Sequence, residues 1–146
     1  MFDGISSLLF AEQQKEEVCL EAVKENGWAL EFVWDQTEEI CLAAVRQNGL
    51  ALEFVKNQTL KICLEAVREN GMALEFVQNQ DRQICLAAVR QDGEALQYVW
   101  DQTEEICLTA VMETECALDM VVRPTKAISV MAEETKRLNW KLNCFC

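Results

Sequence analysis

The stretch from Cys41 to Val55, "CLAAVRQNGLALEFV", is written five times along the chain, starting at Cys19, Cys41, Cys63, Cys85 and Cys107. Each copy begins 22 residues after the one before it. A short fixed period of this kind means that one small unit is stacked on copies of itself, and no other feature restricts the fold as tightly. The fifth copy, "CLTAVMETECALDMV", is degenerate. The ends continue the pattern in weaker form. Leu8 and Phe10 fall 22 residues before Leu30 and Phe32, and "TKAISVMAEETKRL" from Thr125 is in register with "TEEICLTAVMETEC".

Within a unit, Thr37 occupies an N-cap phase shared by Thr59, Asp81 and Thr103, residues whose side-chain oxygens accept the orphan amides of a first helical turn. A helix through "EEICLAAVRQN" follows. Gly49 is expected to end it in a left-handed conformation, as Gly27, Gly71 and Gly93 do in their units. A shorter helix then turns Ala51, Leu52, Phe54 and Val55 inward and Glu53 outward. A leucine-rich repeat has a similar period, but its strand needs an apolar residue where this chain has Glu25, Gln47, Glu69 and Gln91. The richness in Ala, Glu, Gln and Arg also favours helix. Two short helices cannot bury their apolar faces alone, so the units must share one core.

The expected fold is therefore all-α: an α-solenoid of 22-residue helix-turn-helix repeats, about five full repeats with capping half-repeats. It forms one domain over 1–146, with an N-terminal half-repeat cap at 1–15, five repeats over 16–122, and a capping helix and tail over 123–146. In the fifth unit Thr114-Glu115 replaces Asn-Gly and Pro124 follows, which predicts a reshaped break and a change of curvature there.

The pattern "LxAVxxNGxALxxV" resembles the repeats of a family known as domain of unknown function 4116, from large DNA viruses, bacteria and protists. Leu42, Ala44, Val45, Asn48, Gly49, Ala51, Leu52 and Val55 carry it in the second unit, and the match spans about residues 16 to 122. The chain departs from the family in a shorter loop after the second helix and in a cysteine where relatives commonly carry valine. The resemblance implies a helical repeat and a viral origin. It implies no reaction, ligand or catalytic residue.

The cysteine ladder invites a metal or redox reading. Equivalent Cα atoms in neighbouring units lie about 9–10 Å apart, however, beyond the about 4.4–6.8 Å between Cα atoms that a disulfide allows. The chain has no histidine and no Cys-x-x-Cys. The five ladder cysteines are therefore expected to be small core residues, and Cys144 and Cys146 to be the oxidisable pair. Lys24, Arg46, Arg68 and Arg90 form a basic column at helix C-termini, where a cation offsets the helix dipole. The net charge of −12 opposes phosphate and anionic lipid as partners.

Two positions vary while the framework holds. One carries Trp28, Leu50, Met72, Glu94 and Cys116; the other carries Trp34, Lys56, Gln78, Trp100 and Val122. Variable positions on a solenoid write its recognition surface, and Trp is a favoured anchor. The expectation is a non-catalytic protein-protein interaction scaffold, directed at a host protein if the origin is viral, with Trp28, Trp34, Leu50, Met72 and Trp100 as partner-binding residues. No cofactor, catalytic residue or metal ligand is expected. A self-associating structural component, using the terminal half-units or the "LNWKLNCFC" tail, is the first alternative, and a nucleic-acid binder using the basic column the second. The partner expected is a protein of unspecified identity, with no nucleic acid and no membrane, bound by a monomer or weak homo-oligomer. The N-terminal stretch has an acidic residue where a signal peptide is basic, so the chain is expected in the cytoplasm or nucleus and not to be secreted.

Overall fold

The structure, a computed structural model, describes residues 14–141. Among these described residues are six α-helices, α1 (Glu16–Glu25), α2 (Glu38–Gln47), α3 (Leu60–Glu69), α4 (Arg82–Gln91), α5 (Glu104–Glu113) and α6 (Lys126–Lys141). Between them lie five 3₁₀ helices, η1 (Gly27–Phe32), η2 (Gly49–Phe54), η3 (Gly71–Phe76), η4 (Gly93–Tyr98) and η5 (Glu115–Met120). Each α-helix packs on the next α-helix, and each 3₁₀ helix packs on the next 3₁₀ helix. The result is a two-layered α-solenoid. The N-terminal half-repeat expected around Leu8 and Phe10 lies outside the described residues.

The N-caps fall where the spacing places them. The hydroxyls of Thr37, Thr59 and Thr103 accept the amides of Ile40, Ile62 and Ile106 at 3.3, 3.3 and 3.4 Å, and Asp81 accepts that of Ile84 at 2.9 Å. The core is a set of ladders. Leu30, Leu52, Leu74 and Leu96 are fully buried, as are the Ala and Val of each "AV" pair, while Glu53 is exposed.

The break inside each unit differs from the expectation. Among the described residues no glycine adopts a left-handed conformation. The α-helix ends on an extended residue, Asn48 at φ −151° and ψ 110° in the second unit, whose amide still closes the helix onto Ala44 O at 2.9 Å. The Asn48 side chain then accepts the Leu50 amide at 3.0 Å, so one residue ends α2 and caps η2. Glycine is the first residue of the 3₁₀ helix because it touches the next unit. A Cβ on Gly27, Gly71 or Gly93 would stand 2.6 Å from the carbonyl oxygen of Ala44, Ala88 or Ala110, and one on Gly49 would press on Ala66 O. The second helix is 3₁₀ because six residues are too few to nucleate an α-helix in isolation, and Val55 N closes on Leu52 O at 3.1 Å, three residues back.

In the fifth unit the break persists. Thr114 is extended at φ −141°, and only the side-chain cap is lost. Glu115 carries the Cβ that the glycines lack, and it lines a cleft of about 260 Å³ between η5 and α6.

Candidate functional site

The turns that leave each 3₁₀ helix and enter the next α-helix share a device at which sequence reasoning did not stop. Gln14, Gln36, Gln58, Gln80 and Gln102 form a glutamine spine. Each carboxamide NH2 donates to a carbonyl one unit on, at Phe32, Phe54, Phe76, Tyr98 and Met120, over 2.7–3.0 Å. Each carboxamide oxygen accepts the amide two residues later, at Trp34, Lys56, Gln78, Trp100 and Val122, over 2.9–3.1 Å. A side chain thus pairs with the neighbouring turn as a strand would, satisfying backbone groups that a loop otherwise leaves open. The signal was available in the sequence, since these glutamines recur with the same 22-residue spacing as the cysteines.

The cysteines serve the same device. Cys19, Cys41, Cys63, Cys85 and Cys107 are free and 2–4% exposed. The thiols of Cys41, Cys63, Cys85 and Cys107 point at the oxygens of Gln36, Gln58, Gln80 and Gln102 at 3.6–3.9 Å, which fits weak S–H donors. Burial pushes all five thiols up from their ordinary value, and carboxylates add to the shift, Asp35 at Cys19 and Asp81 at Cys63 and Cys85. Thiols held protonated in this way are poor nucleophiles and poor metal ligands. Among the described residues no group of three His, Cys, Asp or Glu side chains could hold a metal ion. Cys144 and Cys146 lie outside the described residues.

Half of the basic column is engaged. Arg46 donates to Glu65 in the next unit at 2.9 Å, and Arg68 lies 3.5 Å from the same carboxylate. The hydrogen bond from Arg46 is the largest influence holding the Glu65 carboxyl below its ordinary range. Arg82 and Glu105 make a second inter-unit pair at 2.6 Å. No helix among the described residues is long and apolar enough to cross a membrane.

The five residues expected to bind a partner divide into two files. Trp28, Leu50 and Met72 are the second residues of their 3₁₀ helices in successive units. Leu50 and Met72 are half-buried, and Trp28 is 38% exposed, its ring meeting Phe54 edge-on at 5.7 Å and 74°. Trp34 and Trp100 stand on the spine-held turns at the other end of the 3₁₀ helix, two residues past its last residue. They are 66% and 69% exposed and sit three units apart. Lys56, at the equivalent position between them, turns back on its own chain, with its ammonium donating to Trp34 O at 3.0 Å and Val33 O at 3.5 Å. The same edge carries a polar groove of about 570 Å³ lined by Asn57, Gln58, Asn79 and Gln80, among others. Clefts of about 170 and 310 Å³ lie beside Trp100.

The family model described as "Domain of unknown function (DUF4116)" matches this framework three times, at residues 15–61, 38–80 and 59–99, which together cover more than half of the chain. The chain belongs to this family. Each match runs over parts of two or three units, so the DUF4116 pattern spans the spine, the N-caps and the Asn-Gly breaks together. No curated protein and no solved structure matches the chain.

Proposed function

We propose that this DUF4116 chain is a non-catalytic scaffold that binds another protein along its turn edge. The observation that carries the reading is the pair Trp34 and Trp100, two-thirds exposed on turns whose backbone is fixed by Gln14 and Gln80. An aromatic ring held on rigid backbone offers contact area at little entropic cost, which is what an interface anchor needs. If the chain is viral, as the family resemblance implies, the partner is a host protein. The test is affinity capture from the native host's extract with the wild-type chain and with Trp34→Ser/Trp100→Ser. Loss of the captured protein with unchanged helical circular dichroism is the expected result. Equal capture by both chains removes this edge as the binding surface. A Trp28→Ser chain, measured beside them, reports on the other file.

Self-association is the second reading, favoured by Val130, Leu138 and Trp140 on α6, which are 47%, 61% and 76% exposed. Continued stacking at that end is opposed by Ser129 and Glu133, exposed at the positions where α5 buries Cys107 and Val111. Light scattering in reducing buffer separates the two readings, and a mass that stays monomeric as concentration rises removes the second.

A further inference from the structure

Lys56 shows in one place what a neighbouring place lacks. The turn bearing Trp34 seats a primary ammonium on two backbone carbonyls, those of Trp34 and Val33. Trp100 stands on the same kind of turn. Its amide donates to a spine glutamine as that of Trp34 does, at 3.1 and 3.0 Å, and the following N-caps Thr37 and Thr103 share one backbone conformation, φ/ψ −76°/159° and −71°/156°. The seven residues "WDQTEEI" recur letter for letter at 34–40 and 100–106. At the position of Lys56, however, the later turn is followed by Val122, which is 77% exposed and has no amine to offer. Among the described residues nothing donates a hydrogen bond to the carbonyl of Val99 or Trp100. A cleft of about 310 Å³ lies between Trp100 and Val122, lined also by Val99, Asp101 and Arg123.

We propose that this cleft receives the side chain of a lysine from the partner protein, its ammonium on the carbonyls of Val99 and Trp100 and its methylenes along the Trp100 ring. The chemistry favours lysine. A compact ammonium with three donors can satisfy two neighbouring carbonyls at once, whereas a planar guanidinium is matched to a carboxylate or phosphate. An aromatic ring accepts both the apolar stem and the positive head. Asp101 supplies a negative charge at the rim. Arg123, the cation of the lining, makes no hydrogen bond or ion pair among the described residues and offsets that charge, so selectivity rests on the carbonyls and the ring rather than on long-range attraction. The inference rests on the scaffold reading for the lysine's source, but its test does not.

The test titrates the ¹⁵N-labelled chain with the peptide acetyl-Gly-Gly-Lys-Gly-Gly-amide, and separately with the same peptide carrying an ε-acetylated lysine. The unmodified peptide is expected to shift the Trp100 indole NH and the amides of Trp100, Asp101 and Val122, with binding at least about tenfold tighter than the acetylated peptide, a difference of about 1.4 kcal/mol. Val122→Lys fills the cleft from within and abolishes these shifts. Lys56→Val vacates the earlier turn and adds a second set at Trp34 and Asp35. Absence of shifts, equal shifts with both peptides, or shifts that survive in Val122→Lys overturn the proposal. If capture of a partner fails while the unmodified peptide alone binds at Trp100, the scaffold reading falls and the lysine cleft stands.

Discussion

Replacing Gln58 by alanine tests whether the glutamine spine joins the units. Gln58 stands at the centre of the stack and makes two strong contacts with the turn of the next unit, to Phe76 O at 2.8 Å and from Gln78 N at 2.9 Å. It also accepts the Cys63 thiol at 3.6 Å. An intramolecular hydrogen bond contributes about 0.5–1.5 kcal/mol net, so two are worth about 1–3 kcal/mol. The exposed amide of Gln78 can turn to water, while the carbonyl of half-buried Phe76 is less easily resolvated, which keeps the expected loss near about 2 kcal/mol. Urea unfolding followed at 222 nm measures it, with Gln83→Ala, on the exposed face of α4, as the control expected within about 0.5 kcal/mol of wild type. Gln58→Glu sharpens the test. It keeps the shape but turns an acceptor toward Phe76 O, which disfavours the ionised carboxyl and raises its folded pKa above the unfolded value. Its deficit against wild type should therefore be smallest below the unfolded carboxyl pKa and should widen as pH rises through the folded one. If Gln58→Ala and Gln83→Ala cost the same, or the Gln58→Glu deficit is flat with pH, the spine does not hold the units together.

Two further outcomes follow from the close approach and the burial. Gly49→Ala places a methyl against Ala66 O, a backbone atom that cannot step aside, and should cost at least about 1–3 kcal/mol, whereas Glu115→Ala, beside the open cleft at α6, should stay within about 0.5 kcal/mol; calorimetry of both variants reads the contrast. Cys19, Cys41, Cys63, Cys85 and Cys107 should react with an aromatic disulfide only after denaturant is added, and raising the pH through the ordinary thiol range should not release them, because burial holds their pKa up; rapid titration of any of the five in the native chain contradicts this.

The architecture was legible because the signals that set it are local and repeated. Thr37, Thr59, Asp81 and Thr103 announce helix starts by their chemistry, and the "AV" pairs announce buried faces by their spacing. The glycine was placed at the right point for a different reason from the one its usual role suggests. A left-handed stop is a property of one chain segment, whereas the contact between Gly49 and Ala66 O exists only once the next unit is stacked. The fifth unit repeats the lesson, since Thr114-Glu115 in place of Asn-Gly leaves the break intact, with Glu115 lining a cleft between η5 and α6. The glutamine spine was as periodic as the cysteine ladder, but Gln carries no strong prior for a buried bridging role, so its partners became visible only in the fold. The division of the five expected site residues into two files was likewise beyond a reading of variability, because residues six apart across a 3₁₀ helix face different ends of the unit.

The spine also explains why one position in each unit is free to vary. The residue at 34, 56, 78, 100 or 122 has its amide held by a glutamine, and the valine before it keeps φ between −71° and −84° in every unit, so the turn is entered the same way whatever side chain follows. Trp, Lys, Gln and Val are all accepted there without disturbing the core. Core packing and the variable side chains are then carried by separate positions, which lets a stack of near-identical units present unlike side chains along one edge. In the proposed scaffold reading, an edge built this way suits an extended partner contacted turn by turn better than a compact ligand in a single pocket. Lys56, whose ammonium donates to the carbonyls of Trp34 and Val33, is one such contact made within the chain itself.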